Sequence, residues 1–374
     1  MKILLLGDYS NVHATLALGL RALGHKVTLA SDGDTWKNYP RDIDLKRPSL
    51  GKLPSIVYFL HLLRTFRQFK NYDVVQLINP CFLPLKAERI RPFYHFLRRH
   101  NRKVFLGAFG MDHYWVEAGL DCKTFRYSDF NIGNKVRKSV DNEIWIRDWL
   151  YGEKGKLNKE IAENCDGIVS GLYEYDAAYR PHFGDKVRFI PFPIRLDNEM
   201  AIGNSCSTKV FTSESKVRFF IGIQKHRHAY KGTDVMLRAL ERLKANYPTE
   251  VEYVKAENVP FAKYVQLLAS SDVLLDQLYS YTPAMNALQA MAQGLVVVSG
   301  GEPENYEILG EPELRPIINV LPFQESVYEQ LEWLVLNKGK ISTLSLQSRK
   351  YIEKHHEYIK VAQRYLEFWT SNMS

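Results

Sequence analysis

Val217-Arg-Phe-Phe-Ile-Gly-Ile-Gln-Lys-His-Arg-His-Ala-Tyr-Lys-Gly-Thr-Asp-Val-Met-Leu-Arg-Ala-Leu240 reads as a strand, a polar loop and a helix. Residues 217–223 are an apolar run of strand length, rich in β-branched and aromatic side chains. A basic loop follows to Lys231-Gly232. Thr233 is a residue type that caps helix N-termini, here of a helix over 234–243. The alternation continues downstream. Strands are expected at 251–254, 272–276 and 295–299, and helices at 261–269 and 286–292, the last ending at Gly294. Strands alternating with helices indicate a parallel sheet covered by helices.

The same pattern lies upstream. Residues 2–7 form an apolar run, residues 14–23 a helical pattern ended by Gly24, and residues 25–30 a second strand. Further strands are expected at 73–78, 103–107, 167–170 and 187–190. A Gly-x-Gly-x-x-Gly fingerprint is absent, which gives an NAD site little support. Residues 192–216 contain Pro193, Gly203 and a Ser/Thr-rich stretch and read as a connection. A chain of 374 residues exceeds one ordinary core. The expected fold class is α/β: two Rossmann-like, doubly wound parallel-sheet domains facing across a cleft. The first covers 1–195, joined by a C-terminal helix at 355–374, and the second covers 196–354. The helical pattern at 348–369 should pack across the junction or onto the first domain.

Composition sets the class. Hydrophobic residues make up 45% and charged residues 25%, which excludes disorder as the main state. No apolar run approaches the ~20 residues needed to span a bilayer. The N-terminal apolar run is short for a signal peptide, so a cytoplasmic location is expected. Cys81, Cys122, Cys165 and Cys206 are widely spaced and read as free thiols, without a zinc site or disulfide framework. No metal site is expected.

The net charge of +8 lies entirely in residues 1–200, while residues 201–374 carry equal numbers of both signs. Within 51–103, eleven basic residues face only Asp73 and Glu88. Ile56, Phe59, Leu60, Leu63, Phe66 and Phe69 recur at helical spacing, interleaved with Arg64, Arg67 and Lys70. Such a segment is either a crossover helix with a solvated basic face or a basic amphipathic helix on an anionic membrane surface. The possible membrane contact therefore spans 52–103, peripheral on the inner face. No nucleic-acid-binding signature is present.

Two clusters carry the chemistry. Lys225, Arg227 and Lys231 occupy a strand-to-helix loop with His226 and His228. This suits a diphosphate, since Arg offers a fork of donors, Lys a point charge, and a helix N-terminus favours anions. The other reading is a solvated basic loop. In the second cluster, a strand ending near Asp276 leads through a small-residue loop to a helix N-terminus near 283–286. Backbone N–H groups there would form a second anion site.

Further motifs bring in a resemblance. Leu288-Gln-Ala-Met-Ala-Gln-Gly-Leu-Val-Val-Val298 and Lys231-Gly232-Thr-Asp-x-x-Leu-x-Ala-Leu240 are similar to the Glu-Ala-Met-Ala-x-Gly-x-Pro-Val-Val and Lys-Gly-x-x-x-Leu-x-Ala-Leu stretches of retaining glycosyltransferase family 4. The opening Gly7…His13…Leu23-Gly-His-x-Val27, the Gly-x-Asp-like Leu106-Gly-Ala-Phe-Gly-Met-Asp-His113 and Ile190-Pro-Phe-Pro-Ile194 also resemble that family. The resemblance implies a GT-B enzyme of the bacterial surface-polysaccharide type. It would transfer a sugar, with retention, from a nucleotide sugar to a saccharide or lipid-linked acceptor, without a cofactor or metal.

Residue by residue, the resemblance implies Lys231 and Arg227 on the donor diphosphate. Met285, Asn286 and Ala287 would supply backbone donors, and Gln289 would hold the ribose. Gly7, Asn11 and His13 would line the acceptor side, and Asp112 and His113 would stand as catalytic candidates. A UDP-sugar is favoured and a GDP-sugar is the runner-up. Two departures stand out: where the family carries paired glutamates, this chain has Tyr281 and Gln289. A carboxylate grips hydroxyl pairs better than an amide does. The alternatives are therefore an inactive relative acting as an assembly partner, or a GT-B nucleotide-sugar epimerase. The epimerase would need more cleft carboxylates than Asp112 provides.

Overall fold

The computed structural model of the protein describes residues 1–34, 37–48, 51–196, 211–212, 214–224 and 228–372. It divides into two compact units. The first comprises Met1–Ala118, Glu143–Pro193 and Tyr358–Ser374, and the second Gly119–Asn142 and Ile194–Glu357. Each is an α/β unit built on a parallel sheet.

In chain order the first strands are β1 (Lys2–Leu6), β2 (Lys26–Ser31), β3 (Ile43–Asp44), β4 (Val74–Leu77) and β5 (Lys103–Ala108). A short antiparallel pair follows, β6 (Asn131–Ile132) and β7 (Lys135–Val136). Then come β8 (Gly167–Ser170) and β9 (Val187–Phe189). The first unit's sheet has the order β3-β2-β1-β4-β5-β8-β9, with parallel pairing. The second unit's sheet is built from β10 (Val217–Ile223), β11 (Val251–Glu257), β12 (Val273–Leu275), β13 (Val296–Ser299) and β14 (Ile318–Asn319). Its order is β11-β10-β12-β13-β14, again parallel.

The central strands are apolar throughout because both of their faces are covered. Ile3, Leu4, Leu5 and Leu6 of β1 are fully buried, as are Val296, Val297 and Val298 of β13. Strand order reverses between β1 and β4 and again between β10 and β12. Ligands of open α/β sheets bind outside the carboxyl ends of strands at such reversals. The loops after β1, β4 and β5, and those after β10, β12 and β13, lie at these strand ends.

The N-terminal region carries the helices α1 (Val12–Ala22), α2 (Lys52–Phe66), α3 (Ala87–His100) and α4 (His113–Leu120). The segment expected as one helical pattern over 348–369 is two helices, Ile341–His355 and Tyr358–Ser371. The second belongs to the first unit and packs along α1. There a Cβ on Gly19 would sit 2.5 Å from the Tyr358 carbonyl oxygen. Trp369 on the same helix is fully buried and donates to Gln76 Oε1 at 3.3 Å.

The structure departs from the expected division at residues 119–142, which the sequence reading placed in the first domain. This segment leaves the first unit and folds against the second. Most of the expected connection at 192–216 lies outside the described residues. So does Cys206, while Cys81, Cys122 and Cys165 are free.

The reading of residues 56–69 as one apolar face also changes. Tyr58, Leu62, Phe66 and Phe69 are buried, with the Phe66 ring 4.4 Å from that of Phe93 on α3. Ile56, Leu60 and Leu63 lie on the exposed side. No helix among the described residues is long and apolar enough to cross a membrane.

Candidate functional site

In the second unit, the loop after β10 closes with a one-turn helix, His228–Lys231. Gly232 follows in the left-handed conformation, at φ 72°. A Cβ there would lie 2.6 Å from the Leu278 Cβ and 2.8 Å from the Tyr279 ring. Only glycine allows the loop after β10 to lie this close to the loop after β12. The contact is sealed by the Leu278 N–H, which donates to the Lys231 carbonyl at 3.0 Å. The Lys231 side chain is half-buried. Arg227, its expected companion, lies outside the described residues, as do Lys225 and His226.

Thr233 does not cap the following helix, Thr233–Asn246, whose N-cap is Gly232. Its buried hydroxyl donates instead to the His228 carbonyl at 3.2 Å and takes a hydrogen bond from His228 Nδ1 at 2.8 Å. The threonine therefore folds the one-turn helix back on its successor.

The helix Met285–Ala292 begins at Ala284, whose methyl group provides no cap. Its first turn is closed by the Leu288 N–H, which donates to the Ala284 carbonyl, so the amides of Met285, Asn286 and Ala287 have no partner within the helix. The Met285 and Ala287 side chains are buried, so these residues can offer a ligand only backbone. The Asn286 amide donates to Asp276 Oδ1 at 2.8 Å and its oxygen accepts the Tyr264 hydroxyl at 3.0 Å. That side chain fixes the helix to the end of β12. Gln289 sits one turn on, half-buried on the same face as Asn286, while residues 287, 288 and 290 point into the core.

Tyr281 does not take the place of a sugar-binding carboxylate. It is buried, and its hydroxyl accepts the Arg126 backbone N–H at 2.7 Å. The Phe125 and Tyr127 rings and the Arg126 guanidinium cover it, the last 4.8 Å from the ring centre. Burial raises the Tyr281 hydroxyl to about 12, so it stays neutral.

These partners belong to the strap formed by residues 119–142, which the sequence reading missed. The strap has a polar core of its own. Asn131, fully buried, donates to the Phe125 and Gly133 carbonyls, and Ser128 Oγ bonds Asn131 Oδ1 at 2.6 Å. It attaches at three strand ends. Tyr230, after β10, donates its hydroxyl to Asp129 at 2.7 Å, and Arg137 donates to the Ala229 carbonyl at 2.9 Å. After β12, the Arg137 guanidinium lies 3.4 Å from the Tyr279 ring centre. After β13, the buried Glu302 carboxylate accepts the Tyr127 hydroxyl at 2.5 Å, the Arg126 guanidinium at 2.9 Å and the Asn319 amide at 3.0 Å. The stretch Asn131-Ile-Gly-Asn-Lys-Val136 carried the available signal: a Gly-Asn pair between two short runs is a hairpin turn.

In the first unit, Asp8 serves α1. Its carboxylate accepts the His13 N–H at 2.9 Å and the Ala14 N–H at 3.3 Å. Burial raises it to about 7. Asn11 stands at the start of α1 in the left-handed region and is half-buried. His13 is fully buried, with Nδ1 2.7 Å from the Gly7 carbonyl oxygen. Nδ1 therefore carries the proton, and Nε2 is a bare acceptor with no partner. Burial lowers the ring to about 3, which keeps it neutral.

Asp112 is a cap rather than an open base. It is fully buried, and its oxygens accept the Trp115 N–H at 2.9 Å and the Tyr179 hydroxyl at 2.7 Å. Burial raises it to about 7. His113 is turned to other partners. Its N–H donates to Asn158, and its Nδ1 lies 2.9 Å from the Trp149 carbonyl oxygen. Its Nε2 is buried without a hydrogen bond, and burial lowers the ring's pKa. The two catalytic candidates are adjacent in sequence, but their functional atoms are engaged separately.

No family model matches the sequence, and no curated protein matches it. Solved structures do. Sucrose-phosphate synthase from Thermosynechococcus elongatus is similar over 99% of this chain and 99% of its own, at 14% identity and a TM-score of 0.61. WaaG, a glycosyltransferase involved in lipopolysaccharide biosynthesis, is similar over 99% and 100%, at 13% identity and a TM-score of 0.54. UDP-GlcNAc 2-epimerase from Neisseria meningitidis, solved with UDP-GlcNAc bound, is similar over 99% and 100%, at 13% identity and a TM-score of 0.55. The fold is of the GT-B type. At these identities the likeness is one of fold, and this fold serves both transferases and epimerases.

Two outcomes follow from this geometry. Tyr127→Phe removes a hydroxyl bonded to a buried carboxylate and should lower the local opening free energy at 276–284 by about 1–3 kcal/mol. Hydrogen exchange on those amides measures it, and unchanged exchange would mean that the strap does not hold the loop. The second concerns Asp112. Its pKa is raised in the folded state, so its contribution to stability is complete below 3.8 and is lost as pH rises through about 7. Wild type should therefore lose stability relative to Asp112→Asn across that window and run parallel to it above. Denaturant titrations at stepped pH give the difference.

Proposed function

We propose that the protein is a glycosyltransferase of the retaining family 4 type. It moves a sugar from a nucleoside-diphosphate sugar, UDP-linked by preference and GDP-linked as the second choice, to a saccharide or lipid-linked acceptor of cell-surface polysaccharide synthesis. One observation carries the reading. The loop holding Lys231 is bonded to the loop that leads to an uncapped helix N-terminus at Met285, so a cation and free amides converge at neighbouring strand ends. That combination suits a diphosphate leaving group.

Each residue then has a role. Lys231 and the amides of Met285, Asn286 and Ala287 take the charge that develops on the diphosphate. Gln289 faces the ribose from the same helix face. Gly7, Asn11 and His13 stand on the acceptor side, as the resemblance implies. Asp112 is spent on capping α4, so an oxygen of the departing phosphate takes the acceptor proton. The reaction in this form calls for no metal ion.

The epimerase fold-mate keeps a second reading in view, but epimerisation needs an acid–base pair. Asp112, the carboxylate the sequence offered for it, is bonded at both oxygens. The inactive-partner reading rests on Tyr281 and Gln289 standing where the family carries glutamates, and it predicts no nucleotide binding.

Thermal stabilisation by UDP, GDP, ADP and CMP separates the nucleotide-sugar enzyme readings from the inactive partner, because a ligand that binds only the folded state raises its stability. UDP should stabilise most. Lys231→Ala should weaken UDP binding by about 1.5–3 kcal/mol, the worth of a charge-assisted contact. Gln289→Leu should weaken it too, while Gln289→Glu should be tolerated. No stabilisation of the wild type by any nucleotide would overturn the transferase reading.

A further inference from the structure

Helix α2 is apolar on two sides, and the first unit covers only one of them. Tyr58, Leu62 and Phe66 turn inward, and the Phe59 and Phe66 rings meet Phe93 of α3. On the other side Leu53 is 77% exposed, Val57 66%, Ile56 and Leu60 58% each, and Leu63 45%. Their spacing of three and four residues makes one continuous stripe. Isolated exposed apolar residues are ordinary, but a contiguous stripe of five large ones marks an interaction surface.

We propose that this stripe docks the protein on an anionic lipid bilayer, with α2 lying in the plane of the headgroups. Charge selects the occupant. Helix α2 contains no acidic residue, and Arg64 and Arg67 are exposed beside the stripe. Lys86, Arg89 and Arg99 are exposed on and beside the adjacent α3. Of the two acidic residues in 51–103, Asp73 accepts the Lys2 backbone N–H, and Glu88 is exposed on α3 between Lys86 and Arg89, so the exposed basic groups remain in excess. A second copy of the chain would bring Arg64 and Arg67 against their own kind, since a two-fold interface pairs a patch with itself. An anionic bilayer instead offers negative headgroups to the rim and acyl chains to the stripe. A helix of 15 residues is too short to span, so it can only lie on the surface. Docking through α2 is independent of the transfer chemistry, and it would bring the first unit to a lipid-linked acceptor.

Sedimentation of the full chain with vesicles tests this directly. One vesicle set contains mixed phosphatidylcholine and phosphatidylglycerol, the other phosphatidylcholine alone. Binding should be strong to the first, weak to the second, and weaker as salt is raised. Arg64→Glu and Arg67→Glu should each lower low-salt binding by roughly fivefold or more. The double variant Ile56→Ser, Leu60→Ser should abolish binding at every salt concentration while leaving the melting temperature unchanged, because neither side chain is in the core. Wild type that ignores phosphatidylglycerol vesicles at low salt would overturn the proposal. So would binding that survives the serine pair, or a concentration-dependent dimer that the serine pair abolishes without any vesicle binding. Nucleotide stabilisation, measured on the same samples, reports separately on the donor loops.

Discussion

The Leu278 amide reaches the Lys231 carbonyl because residue 232 has no side chain. That one approach makes neighbours of two loops belonging to adjacent parallel strands, β10 and β12. Parallel sheets deliver every strand's carboxyl end to the same edge, but they do not force the following loops together. Here the left-handed turn at Gly232 folds the His228–Lys231 turn onto Leu278 and Tyr279. The strap then grips both partners of that contact, at Tyr230 and at Tyr279. The cation, the free amides at Met285 and the covering strap all hang on a position that tolerates no Cβ.

At position 281 the resemblance to family 4 implies a glutamate. Tyr281 instead spends its hydroxyl on the Arg126 amide and its ring on three strap side chains. The carboxylate that organises this region is Glu302, one strand further on. It is buried with a phenol, a guanidinium and an amide all donating to it. A buried charge is tolerable only when its lone pairs are met, and here each donor comes from a different part of the unit. Losing any one would leave the charge undercompensated, so strap and sheet edge are held as one piece.

In the first unit, burial separates roles that the sequence could not. Asp8 and Asp112 both stand just before helices, and both give their oxygens to helix amides. The Gly-x-Asp-like stretch that resembles a catalytic loop is, in its chemistry here, a capping arrangement. His13 and His113 share a different pattern. Each has Nδ1 against a backbone carbonyl and Nε2 buried without a hydrogen bond. Desolvation keeps both rings neutral, which makes them hydrogen-bond acceptors rather than cations.

Much of the fold was legible in the chain, since the apolar runs of β1, β10 and β13 and the helices between them are local signals. Strand alternation gave both parallel sheets and, with them, the strand ends outside which ligands of open α/β sheets bind. The strand-to-helix loop that carries Lys231 and the helix start near 283–286, with Gln289 on its first turns, were also readable, because each depends on residues close in sequence. What local pattern cannot carry is the choice of partner. Periodicity showed that α2 is apolar, but α3 decided which face is covered, burying Phe66 and leaving Leu60 to solvent. Composition showed nothing unusual in 119–142, because that segment's place is set by Glu302 and Tyr281, more than 150 residues away. Asp112 looked available because sequence does not display burial. Backbone propensity and hydrophobic period are properties of neighbours along the chain, whereas desolvation, ion pairing and the filling of a face belong to neighbours in space.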